Sequence, residues 1–165
     1  MQTIEGSGRE TSHSFNQSIH QDQSTTPLVT NIGHVYLGQR RIDLMQLGRA
    51  HTAGDLVAYV PDANVMFTGD IVEYKSACYC GDGHFHDWPA TLDAVRRWDV
   101  DAIAPGRGDA LVGKAMVGEA LDLTADFIRS TYAPAARVAL KGGSLKDAWD
   151  AVRAECDPKF SDYAI

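Results

Sequence analysis

Residues 47 to 70 read LGRAHTAGDLVAYVPDANVMFTGD. A histidine, His51, precedes two short apolar runs, Leu56 to Val60 and Val65 to Thr68, and the second run ends at Gly69 and Asp70. The runs are separated by Pro61, Asp62, Ala63 and Asn64, which is turn chemistry, so the stretch predicts a β-hairpin with His51 before it and Asp70 at the far end of its second strand. A neutral imidazole is a good ligand for a borderline-soft ion such as zinc, and a carboxylate supplies a hard oxygen that can bind one ion or bridge two. Asp55, just after the histidine, is expected to orient this loop by hydrogen bonds to backbone or to the second nitrogen of a ligand histidine. Either His51 or Asp70 alone is more often structural than functional; their order along one hairpin is what singles them out.

Upstream, Val35 to Leu37 and Arg41 to Leu47 predict two strands joined by a turn at Gly38 and Gln39. Residues 1 to 26 are rich in Ser, Thr, Gln, Gly and His, with Ile4, Phe15 and Ile19 as the sizeable apolar residues, and read as a polar tail before a domain over 27 to 165. Downstream, Asp87 is placed to cap a helix with Pro89 in its first turn and Leu92, Val95 and Trp98 at helical spacing. Ala102 to Ala104 predicts a buried strand ending at Pro105 and Gly106. A helix is expected from about Lys114 to Tyr132, a short one after Pro134 that ends at Gly142 and Gly143, and a last one capped by Ser144. The pattern is α/β, strands first and helices after.

His51 followed by Thr, a small residue and Gly, then a strand pair ending in Gly69 and Asp70, resembles the C-terminal portion of the metallo-β-lactamase superfamily. Pro105, Gly106, Arg107 and Gly108 fall where that superfamily carries its closing Pro-Gly-His-Gly turn. The resemblance runs from about Pro27 to the C-terminus and implies an αββα sandwich of which this chain supplies the C-terminal half. It further implies His51 and Asp70 as metal ligands, Asp70 and Arg107 as catalytic residues, zinc as the metal with iron or manganese as alternatives, and hydrolysis of a small-molecule substrate by a metal-activated water. Relatives are expected to extend further on both sides.

Two departures qualify that expectation. The superfamily's first metal motif, HxHxDH, has no counterpart, because His13, His20 and Asp22 are spaced differently and lie in the polar tail. Arg107 stands at the position of the closing histidine, and a guanidinium stays protonated, so it clamps anions instead of binding metal. The sequence also resembles a metallo-hydrolase subgroup whose turn reads Pro-Gly-Arg-Gly and whose first motif is a His-x-His pair, which is compatible with one metal.

Between Asp70 and the next helix lie Cys78, Cys80, His84 and His86. Their CxC and HxH spacings are not those of a zinc finger, and the segment reads as a loop bordering the site, with Tyr79, His84 or His86 facing substrate. Trp88, Trp98 and Trp149 are expected to be packing residues.

The chain's 165 residues carry 15 Lys and Arg against 22 Asp and Glu, a formal net charge of -7, without a basic stripe, so nucleic acid is not an expected partner. No apolar run approaches the ~20 residues that span a bilayer and no signal peptide is evident, so the expectation is a cytoplasmic protein with no membrane partner. Three cysteines, two of them one residue apart, are read as reduced thiols. The alternative to a hydrolase is a non-catalytic partial domain that forms homo-oligomers or needs a partner chain, since half a sandwich leaves a sheet edge and an apolar face open.

Overall fold

The computed structural model describes residues 31–163. The polar tail assigned to 1–26 and the boundary at Pro27 lie outside them. One six-stranded sheet in the order β1-β2-β3-β4-β5-β6 is built from Asn31–Leu37, Arg40–Gln46, Val57–Val60, Val65–Glu73, Ala102–Arg107 and Leu111–Val112. Neighbouring strands run antiparallel except β4 and β5, which are parallel and joined by α1, Trp88–Arg97. Two further helices follow, α2 over Lys114–Leu140 and α3 over Leu145–Cys156.

Strand alternation divides the sheet into two faces. Met45, Val57, Met66, Ile103 and Leu111 point to one side, where Leu92 and Val95 of α1 and Val117, Leu121 and Ile128 of α2 bury them. Each such side chain removed from water contributes on the order of 2 kcal/mol, so this layer holds the fold together. Leu44, Ala58, Phe67 and Ala104 are successive register partners on the opposite face, and Phe67 there is 51% exposed. One sheet with helices on one side makes up two of the four layers of a sandwich.

Several boundaries differ from the sequence expectation. Strand β4 does not stop at Asp70 but continues to Glu73, passing through a register shift at Gly69, whose φ of 52° lets the chain bulge. Asp70 therefore sits inside a bulged strand. Likewise β5 runs through Pro105 to Arg107. The break expected near Pro134 is absent: α2 is one helix of 27 residues with Pro134 in its interior. Helix-favouring Ala135, Ala136 and Arg137 follow the proline, and packing of α3 on α2 offsets the lost hydrogen bond. The short β6 carries too few residues to show a period.

The two expected helix caps differ in the structure. Ser144 accepts from the backbone of Asp147, whose carboxylate accepts in turn from the backbone of Ser144, a reciprocal capping box that starts α3. Asp87 occupies the N-cap position of α1 but its side chain caps nothing, because it pairs with Arg49 and His86. Trp88 is fully buried and Trp98 packs on Tyr59, whereas Trp149 is 63% exposed and is not a core residue.

Candidate metal centre

His51 lies in the loop between β2 and β3, and its position is fixed from several sides. Asp55 receives hydrogen bonds from the backbone of Ala50 and Thr52 and from the Thr52 hydroxyl, at 2.8 to 3.0 Å. It orients the loop through backbone and not through the imidazole, one of the two roles expected for it. Thr91 of α1 donates its hydroxyl to the carbonyl of Arg49 at 2.7 Å, and the His84 amide donates to the carbonyl of Ala50 at the same distance. Helix and loop thus grip the two residues before His51. No sequence motif announced Thr91, whose place on the inner face of α1 was the only available signal.

The imidazole itself meets Trp88 edge-on at 5.9 Å and Tyr79 at 6.2 Å. Trp88 is immobilised by donating its indole N–H to the carbonyl of Ile71 at 2.9 Å. Tyr79 is 61% exposed and borders the opening, as expected for it. Across that opening stands Asp70, with Nδ1 of His51 3.9 Å from Oδ2. The Asp70 side chain is more open to solvent than that of His51, which is largely covered.

The closing turn packs directly on Asp70. A Cβ at Gly106 would collide with Oδ1 of Asp70 and lie 2.7 Å from its backbone nitrogen, so only glycine permits this approach. Arg107 follows, exposed, opposite Glu73 in the β4–β5 ladder, with its Nη1 donating to the carbonyl of Ala77 at 3.4 Å. The three sequence landmarks thus converge: His51, Asp70 and the Pro105–Gly108 turn share one end of the sheet.

The metal implied by the fold can be tested against these donors. Bonds to zinc of about 2.0–2.2 Å from nitrogen and oxygen allow both to reach one ion when they are 3.9 Å apart. His51 and Asp70 therefore fit as two donors. Among the described residues no group of three or more His, Cys, Asp or Glu converges as a metal cage, and His51 and Asp70 stand as a pair. Cys78, Cys80, His84 and His86 do not form a second one: both thiols turn inward, while His86 is 90% exposed and contacts Asp87. Burial lifts the Cys80 thiol to about 11 and Cys78 further, so both stay protonated.

Glu73 escaped the sequence reading. It is 1% exposed, neither carboxyl oxygen has a hydrogen-bond partner of ordinary geometry, and the nearest donor is the weak S–H of Cys78. Burial raises its pKa to about 7, against the pull of Arg107 and with the help of Asp70. A glutamate directly after the apolar pair Ile71 and Val72 was the available clue.

No family profile matches the chain. The type 2 metallo-β-lactamase of Bacteroides fragilis is 29% identical over 93 residues, 53% of this chain and 37% of that protein. A metallo-β-lactamase from Pontibacter korlensis superposes with a TM-score of 0.51 at 19% identity, over 61% of this chain and 46% of its own. Metallo-β-lactamase IND-7 gives 0.52 at 22% identity, over 59% and 44%. The chain spans less than half the length of each of these proteins. Over the aligned part, about 60% of the chain, the fold is that of these metallo-β-lactamases, and the sequence likeness covers about half of it.

Proposed function

We propose that His51 and Asp70 are half of the metal site of a metallo-β-lactamase-fold hydrolase acting on a small-molecule substrate. The observation that carries this reading is the 3.9 Å approach of an imidazole and a carboxylate from separate elements, on a loop and a bulged strand that are both held rigidly. Zinc is the metal of choice for this donor pair, with iron or manganese as alternatives, and one ion is the number it suits. When bound, the cation would polarise a substrate carbonyl or phosphoryl oxygen and lower the pKa of water to about 7.

The chain's own residues bind and orient. Asp55 and Thr91 fix the loop of His51, Trp88 sets the plane of its ring, and Gly106 lets the closing turn lie against Asp70. Arg107 brings a permanent positive charge to the same end of the sheet and would take an anionic group of the substrate. Elemental mass spectrometry of protein purified without chelators tests the reading: stoichiometric metal that is lost in His51→Ala supports it, and metal-free protein, or metal indifferent to that change, overturns it.

A second reading is favoured by the open sheet face. The apolar row Leu44, Ala58, Phe67 and Ala104, with Val112 77% exposed nearby on β6, suits a non-catalytic domain that self-associates or accepts a partner chain. Metal-free protein whose sedimentation depends on concentration would favour it over the first.

A further inference from the structure

A buried carboxyl group without a hydrogen-bond partner costs several kcal/mol if ionised, so its presence in a folded protein calls for an account. Glu73 is such a group. Its backbone is riveted to α2, since the Thr124 hydroxyl accepts from its amide at 3.2 Å and donates to its carbonyl at 2.9 Å. The strand is thus fixed against α2 at this residue, and the side chain is enclosed. Around it stand the Cys78 and Cys80 thiols from the following loop, Asp70 on its own strand, and Arg107 directly across the ladder from β5; α2 contributes the Thr124 hydroxyl. Arg107 is the only cation in this set. It is exposed, pairs with no carboxylate among the described residues, and makes one long bond to Ala77.

We infer that Glu73 is the positioning residue for Arg107: the charge on its enclosed carboxyl sets whether the guanidinium stands out at the mouth of the His51–Asp70 pair or is drawn in against the sheet. The arrangement in the structure, with carboxyl and guanidinium not paired to each other, matches the protonated form of Glu73. Ionisation, which falls near neutral pH, leaves a buried anion whose single cationic neighbour is Arg107, and the guanidinium moves toward it. The two thiols stay neutral over that range and carry no charge to offset the anion, although the Cys78 S–H is placed to donate to the carboxyl. The coupling itself is independent of the hydrolase reading; only its effect on an anionic substrate rests on that reading.

The test uses chelated, metal-free protein, so that it stands apart from the metal question. Carbon-13 signals of the Arg107 guanidinium and the Glu73 carboxyl, assigned by loss in Arg107→Lys and Glu73→Gln, are followed across the neutral pH range. Native protein is expected to show one step in the Arg107 signal with the same midpoint, about 7, as the Glu73 carboxyl. That step should vanish in Glu73→Gln and persist with a moved midpoint in Glu73→Asp. A Glu73 that titrates while Arg107 stays flat, or an unchanged Arg107 step in Glu73→Gln or Glu73→Asp, overturns the inference. Glu73→Asp and Glu73→Gln are two independent variants, and either one, once shown folded by circular dichroism, decides the second outcome.

Discussion

The imidazole of His51 stands edge-on to the indole of Trp88, 5.9 Å between ring centres at an interplanar angle of 83°, and the indole is fastened to the carbonyl of Ile71. The contact links the candidate ligand to the core, because Trp88 opens α1 and is fully buried between the sheet and that helix. A ring held this way has few orientations, and a metal ligand needs one.

Trp88→Phe keeps an aromatic ring but removes the N–H and part of the volume. The Ile71 carbonyl would lose its partner and a small cavity would form, together costing about 1–3 kcal/mol. Urea unfolding should show that loss, and the His51 imidazole proton signals should broaden. A variant as stable as the native chain with unchanged His51 signals would mean that Trp88 does not support the site.

Asp55 acts on the same residue through the backbone. In Asp55→Ala the amides of Ala50 and Thr52 lose their acceptor. Bonds to a charged acceptor are worth about 1.5–3 kcal/mol each, discounted here because the loop is partly solvated and water can replace the carboxylate. A net loss of about 1–2 kcal/mol in urea is expected, with a larger proportional fall in metal uptake. Uptake unchanged while stability drops would separate the loop from the site and argue against the assigned role.

Gly106→Ala addresses Asp70 from the other side. The added methyl must displace the carboxylate or the backbone of Gly69 and Asp70, a rearrangement of the overpacking kind that costs about 1–3 kcal/mol. The variant should fold, shown by circular dichroism, yet retain much less metal than native protein. Full retention would show that the position of Asp70 is not critical to binding.

The features legible in the sequence were those that local chemistry dictates. Turn residues at Gly38 and at Pro61 to Asn64 announced both hairpins, and Ser144 announced α3. His51, Asp70 and the Pro105–Gly108 turn were found by order and spacing, and the structure brings them to one end of the sheet. What stayed hidden depends on partners far along the chain. Asp87 looked like a cap until Arg49 and His86 claimed its carboxylate, and Pro134 looked like a break until α3 packed against α2. Thr91 and Glu73 were invisible for the same reason, since one reaches back to Arg49 and the other gains its character from burial beneath α2.

Glu73 makes stability depend on pH in an unusual direction. Its pKa is raised in the folded chain, from 4.5 to about 7, so the folded state holds the proton more tightly than the unfolded state between those values. Stability from this group is then fully present below about 4.5, declines as pH rises toward 7, and is absent above it, the reverse of an ordinary ion-paired carboxylate. The shift corresponds to about 3 kcal/mol. Other acids, Asp43 among them, are held below their ordinary range and pull the opposite way at lower pH, so the Glu73 contribution is best isolated by difference. Glu73→Gln, which keeps the shape of the protonated form, should unfold at higher urea than native protein at pH 8, with the gap closing at pH 5 as native Glu73 takes up its proton. A gap of equal size at both pH values would mean that Glu73 is not the group that titrates.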